Sequence, residues 1–154
     1  MPDNQHLVVS SGWYGESRVS IYKFDFEDCS FEETFKEMNE KQYFAEGLTR
    51  VGDKLLQFTW REKRIVVWKI EPGMNKLTHE INKTFPRFNK IVQGWGAAAQ
   101  KVGEQTLVWV SDSTSVLKAF DPKTWKHHSE LPLFFANGTA IQFMNEMEII
   151  PEND

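Results

Sequence analysis

The chain has 154 residues, with 18 Lys and Arg against 22 Asp and Glu, for a formal net charge of −4; no whole-domain basic field is present to hold a polyanion, so nucleic acid is excluded as an expected partner. Hydrophobic residues at 40% and aromatics at 14% are enough to bury a core, yet no apolar run approaches the roughly 20 residues of a membrane helix, and Met1-Pro2-Asp3-Asn4-Gln5-His6 has neither the cationic nor the apolar region of a signal peptide. The single cysteine, Cys29, excludes an internal disulfide framework and a CxxC zinc site.

In chain order, the first extended run is Leu7-Val8-Val9-Ser10, followed by a polar turn and a second β-rich run from Val19 to Phe24. Between Glu27 and Lys41 six carboxylates accompany Phe31, Phe35 and Met38. The helical spacing of that apolar trio admits a short amphipathic helix, while the charge density reads as a solvated acidic connection capping an outer strand. A full unit follows: an inner strand from Phe44 to Arg50, a strand from Leu55 to Trp60, the charged turn Arg61-Glu62-Lys63-Arg64, and a strand from Ile65 to Ile70. The turn Glu71-Pro72-Gly73-Met74-Asn75 then leads to a last strand near Leu77 to Thr84. Pro presets the first central φ of such a turn, and Gly or Asn tolerates positive φ. Further on come Gly94-Trp95-Gly96, a strand ending Leu107-Val108-Trp109-Val110-Ser111, a strand from Val116 to Phe120, the turn Asp121-Pro122-Lys123, and Asn145-Glu146-Met147.

These runs repeat. Val51-Gly52-Asp53-Lys54 and Val102-Gly103-Glu104-Gln105 introduce matching strands at an offset of 51, and Glu46, Trp95 and Asn145 precede successive strand pairs at spacings of 49 and 50. Four short antiparallel strands per period of about 50 residues define a β-propeller blade. The expectation is therefore an all-β chain of about three four-stranded blades. It begins inside a blade whose inner strand is absent and stops just after the inner strand of another, so that residues 1–154 form a single partial propeller domain with exposed flanks. A small β-barrel carrier of the lipocalin type fits the length but not the period.

Other chemistries find little support. His127 and His128 are adjacent and, on a strand, point to opposite faces, and no other grouping has metal-ligand spacing. Asp112 with Ser111, Ser113 and Thr114 reads as a turn rather than a cation loop. Phosphate-cradling glycine loops and nucleophile elbows do not occur. Asn82-Lys83-Thr84 and Asn137-Gly138-Thr139 have the form of glycosylation acceptors.

Phe44-Ala45-Glu46-Gly47-Leu48-Thr49, Leu56-Gln57-Phe58-Thr59-Trp60-Arg61-Glu62, Gly94-Trp95-Gly96, Ser111-Asp112-Ser113, Phe120-Asp121-Pro122 and Asn145-Glu146-Met147-Glu148 resemble, in order, the plant and bacterial glutaminyl cyclotransferases. Gly12-Trp13-Tyr14-Gly15-Glu16-Ser17 fits the same family's first blade. The resemblance covers residues 7 to 148 and implies a five-bladed propeller that converts the N-terminal glutamine of peptides to pyroglutamate with release of ammonia, without metal or other cofactor. It also implies a peptide or protein substrate with N-terminal Gln, and a secretory or periplasmic setting for a full-length form. The chain departs from the family pattern at Ala45, Gln93 and Ala97, and it lacks the family's upstream inner strand and the segments after Asn145-Glu146.

Cyclisation is attack of the α-amino nitrogen on the side-chain carboxamide carbon of the same residue, so an enzyme gains by holding a near-attack conformer and by shuttling one proton. Glu46, between Phe44 and Gly47, is the expected proton shuttle, with apolar walls raising its pKa. Trp60 and Trp95 are expected to pack the substrate methylenes; an indole N–H or the amide of Asn145 is expected to bond the carboxamide oxygen. By resemblance Phe44 joins them as a substrate-binding residue. Each has a plainer reading: a solvent-facing glutamate, core aromatics, a turn asparagine. Trp13, Trp68, Trp109 and Trp125 are assigned to packing. The competing function is a non-catalytic propeller fragment that binds peptides or assembles with another chain.

Overall fold

The computed structural model describes residues 5–84, 91 and 93–150; of the Met1 to His6 start discussed above, residues 1–4 lie outside the described residues. Three antiparallel sheets follow one another along the chain. The first comprises β1 (His6–Ser11), β2 (Arg18–Asp25) and β3 (Ser30–Met38). The second comprises β4 (Ala45–Val51), β5 (Lys54–Thr59), β6 (Arg64–Ile70) and β7 (Leu77–Thr84). The third comprises β8 (Ala97–Val102), β9 (Gln105–Val110), β10 (Val116–Asp121) and β11 (Lys126–Pro132). Each sheet keeps sequence order across its width; the second and third are the four-strand meanders that the 50-residue period predicts for a propeller blade, and the first has three strands.

The second sheet is the middle layer, and its strands show it. β5 and β6 are buried on both faces, so their apolar runs are nearly continuous instead of alternating. Leu55, Val66 and Trp68 pack with Val19 and Ile21 of the first sheet, whereas Leu56, Phe58, Ile65 and Val67 pack with Val108, Val110 and Phe120 of the third. The rings of Phe58 and Phe120 lie 6.3 Å apart and both residues are fully buried; burying one such ring contributes about 2–3 kcal/mol. β4 contacts both β1 of the first sheet and β8 of the third.

Two buried polar clusters are matched internally. Gln57 is fully buried between the first two sheets. Its amide nitrogen donates to Ser10 Oγ at 2.9 Å and to the Arg18 carbonyl at 3.1 Å, while its oxygen accepts from Trp68 Nε1 at 3.0 Å and Asn39 Nδ2 at 3.1 Å. In the third sheet Lys118 and Asp112, both buried, form an ion pair, and Asp112 also accepts from the Thr114 hydroxyl at 2.6 Å. The Asp112 turn is thus closed by an internal cation.

Some expectations need correction. Residues 30–38 are neither helix nor mere connection but the outer strand itself. Ile21 pairs with Phe35 and Tyr22 with Glu33, leaving Thr34 as an extra, bulged residue. The bulge sends Phe35 to the core beside Ile21 and Phe31 outward against Tyr22 at 5.7 Å, so the four-residue spacing imitates a helix. The same interruption recurs between the last two strands of the second and third sheets, at Val67/Trp68 and Ala119/Phe120. Trp13 is not a packing residue: it sits in the turn after β1, 67% exposed. Trp68, Trp109 and Trp125 do pack, the first two with their N–H groups on Gln57 and Gln100, the third stacked on Phe120 at 5.6 Å. Finally, residues 141–150 form no strand. Phe143 has a φ of +59°, which breaks an extended run, and the Ser111 hydroxyl takes the Asn145 carbonyl that a ladder would use.

Candidate functional site

β4 carries the key irregularity. Ala45 pairs with Thr59 and Leu48 with Gln57, so Glu46 and Gly47 together oppose the single residue Phe58 in a β-bulge. A bulge frees backbone groups from the ladder and re-aims a side chain. The freed Gly47 N–H donates across to the Trp95 carbonyl at 2.6 Å. That approach requires glycine: a Cβ on Gly47 would lie 2.3 Å from the Trp95 carbonyl oxygen and 2.8 Å from the Ala97 nitrogen.

One segment further on, the contact is repeated. Gly96 N–H donates to Ser111 Oγ at 2.8 Å, and that hydroxyl donates to the Asn145 carbonyl at 2.7 Å. A Cβ on Gly96 would meet the Asn145 oxygen at 2.0 Å. Two glycines therefore set three backbone segments side by side, carrying Glu46, Trp95 and the Asn145-Glu146 pair.

Aromatic side chains wall this region. Phe44 meets Trp60 edge-on at 5.5 Å and Tyr14 at 5.2 Å, and the Trp60 N–H of the backbone donates to the Phe44 carbonyl at 2.8 Å. Glu62 braces the rim, accepting from the Tyr14 hydroxyl at 2.9 Å and from the Phe44 backbone N–H at 3.3 Å. The Arg61 guanidinium lies 3.8 Å above the Trp60 ring, a cation–π contact. Both site indoles donate to one atom: Trp60 Nε1 and Trp95 Nε1 each lie 2.7 Å from Gln93 Oε1.

Two carboxyl groups respond to these surroundings. Burial pushes the Glu46 pKa above the usual carboxylate range, and the charge of Glu146 adds to the rise. Glu146 is itself raised by partial burial. A carboxyl group titrating nearer neutrality is suited to taking up a proton and returning it.

The structure thus joins Phe44 to Trp60 by ring contact, Trp60 to Trp95 through Gln93, and Trp95 to the Glu46 bulge through the Gly47 amide. Asn145 enters chiefly through its backbone; its side-chain amide makes no hydrogen bond among the described residues. Both indole N–H groups are committed to Gln93 in this structure, so an indole donor would have to leave that oxygen to meet a substrate. Sequence reasoning missed three residues here: Gln93, Glu146 and Tyr14. Glu146 had a signal, because it follows Asn145 at the repeating inner position that Glu46 occupies two units earlier.

Comparison with known proteins bears on this arrangement. Residues 1–153 match the family described as glutamine cyclotransferase. The chain belongs to that family. The glutamine cyclotransferase signature is accompanied by 31% identity over 147 residues to a glutaminyl-peptide cyclotransferase of Arabidopsis thaliana, a match covering 96% of this chain and 41% of the plant protein. The fold resembles the crystal structure of Myxococcus xanthus glutaminyl cyclase with a TM-score of 0.64 at 18% identity, covering 94% of this chain and 61% of that one. This glutamine cyclotransferase family member therefore spans less than two thirds of either relative.

Proposed function

We propose that this family member serves glutaminyl-peptide cyclotransfer: conversion of the N-terminal glutamine of a peptide or protein to pyroglutamate with release of ammonia. The observation that carries the reading is the Glu46 bulge, which frees the Gly47 amide to hold the Trp95 carbonyl and carries a carboxyl whose pKa is raised by burial and by the charge of Glu146. We read residues 1–154 as one propeller unit that supplies this part of the site.

In this mechanism the substrate's α-amino nitrogen attacks its own carboxamide carbon, forming the C–N bond of a five-membered lactam. Both groups belong to one residue, so the main task is to hold it folded back, where effective molarities are large. Phe44, Trp60 and Trp95 supply rigid apolar faces for that purpose. Glu46, ionised, takes the proton that the attacking amine sheds, and returns it to the amide nitrogen as the carbon–nitrogen bond to it breaks and ammonia leaves. A depressed pKa would hold the proton too weakly; desolvation tunes the carboxyl toward the working range. We assign the side-chain amide of Asn145, which makes no hydrogen bond among the described residues, as the donor to negative charge building on the carboxamide oxygen.

The test is incubation of the full-length protein with a Gln-initiated dipeptide, following ammonia release and the matching loss of mass as each peptide cyclises. Turnover supports the proposal. Binding of the peptide without ammonia release would replace it with a peptide-binding role.

A further inference from the structure

The most informative polar contact in the site is one that no substrate role explains. A single oxygen, Gln93 Oε1, accepts from Trp60 Nε1 and Trp95 Nε1 at 2.7 Å each. Indole N–H groups can only donate, and an amide oxygen has two lone pairs, so the orientation of the Gln93 amide is dictated by its partners and its acceptor capacity is filled. The two tryptophans come from different blades: Trp60 follows β5 of the second sheet, and Trp95 precedes β8 of the third. Gln93 itself stands at the junction, where the Gly94 N–H donates to the carbonyls of Thr59 at 3.2 Å and Trp60 at 2.9 Å. Backbone and side chain therefore fasten the same seam.

We propose that Gln93 is a positioning residue of the site, whose one carbonyl oxygen locks the Trp60 and Trp95 indoles into a single unit. The inference rests on the cyclotransferase reading for its kinetic consequence but not for its physical one. Without the shared acceptor each indole is free to rotate about its side-chain torsions, and the apolar slot for the substrate methylenes loses its shape. Two part-buried N–H groups would also be left without their acceptor. A glutamate at this position would keep an acceptor for both N–H groups.

The test uses ¹⁵N-indole NMR on the intact protein together with steady-state kinetics on a Gln-initiated peptide. Solvent exchange of the Trp60 and Trp95 indole protons is expected to quicken at least about tenfold in Gln93→Met, with Trp68 and Trp109, held by Gln57 and Gln100, unchanged as internal references. KM is expected to rise about tenfold with kcat within about twofold, the pattern of lost substrate positioning; a merely destabilised fold would lower kcat through the active fraction and leave KM alone. Gln93→Glu, which keeps an acceptor for both N–H groups, is expected to retain slow indole exchange and wild-type KM. Gln93→Asn, one methylene shorter, should lose protection on at least one indole and decides the matter if Gln93→Met fails to fold. Unchanged exchange and KM in Gln93→Met or Gln93→Asn would overturn the proposal, as would fast exchange of both indoles in Gln93→Glu. Should the wild type release no ammonia, the cyclotransferase reading fails by itself, while the indole exchange still decides the role of Gln93.

Discussion

Replacing Gly47 by alanine isolates the contact that builds the site. The backbone of Gly47 is not in the left-handed region, so the substitution adds no φ strain; its whole effect is steric. The new methyl carbon would stand 2.3 Å from the Trp95 oxygen, 2.8 Å from the Ala97 nitrogen and 2.9 Å from the Gly96 carbonyl carbon, all backbone atoms that cannot swing away. Ordinary van der Waals contact needs about 3.5 Å, so β4 and the Trp95 segment must part by roughly 1 Å. That separation breaks the 2.6 Å Gly47-to-Trp95 hydrogen bond, worth about 1 kcal/mol, and overpacking adds about 1–3 kcal/mol. The expected loss is about 3 kcal/mol, or roughly 6–12 °C in Tm for a domain of this size. Gly15→Ala is the matched control: its φ is +81° and nothing lies within 4 Å of the added carbon, so only the backbone cost of about 1 kcal/mol applies. Urea unfolding gives the stabilities, and tryptophan fluorescence titration gives Gln-peptide affinity. Gly47→Ala as stable as Gly15→Ala, with wild-type affinity, would refute the claim that this approach assembles the site.

Because the Glu46 and Glu146 pKa values are raised in the fold, the native state holds protons that the unfolded chain releases. Their contribution to stability is therefore fully present below the ordinary glutamate range and is lost as pH rises through the raised values; Glu46→Gln should melt higher than wild type at pH 7.5, with the difference closing near pH 4. Glu146→Gln removes the charge that helps raise Glu46, so the acid limb of the pH–rate profile should move to lower pH. Gln57→Leu leaves the Trp68 and Asn39 donors and the Arg18 carbonyl without their buried partner, and should cost about 3 kcal/mol by urea unfolding. Lys118→Met leaves Asp112 charged and buried, with an expected loss of about 3–5 kcal/mol, whereas the Asp112→Leu, Lys118→Met double variant should recover most of it.

The blade architecture was legible in the sequence because its causes are local. The strand read from Phe44 to Arg50 appears as Ala45–Val51, and the one near Leu77 to Thr84 appears at that position, since Pro72, Gly73 and the Val-Gly turns punctuate the chain wherever it reverses. Burial of β5 and β6 on both faces left a continuous apolar signal. What escaped the sequence arises where one strand meets another. The bulge at Thr34 turned a strand into an apparent helix, and the bulge at Glu46-Gly47 is defined only by the partner residues Thr59, Gln57 and Phe58. The destination of the Trp60 N–H was hidden for the same reason: its acceptor, Gln93, lies 33 residues away in another blade. The repeat placed Glu46, Trp95 and Asn145 at equivalent positions, yet nothing local shows that the Asn145 segment would be held by the Ser111 hydroxyl instead of a ladder.

The rate of ammonia release by Glu46→Gln, measured on a Gln-initiated dipeptide against the wild type, bears most directly on the proposed chemistry. The substitution keeps size and hydrogen-bonding capacity but cannot carry a proton between amine and leaving group. A fall in kcat of about a hundredfold or more, with KM little altered, is the predicted result; turnover at the wild-type rate would contradict the account.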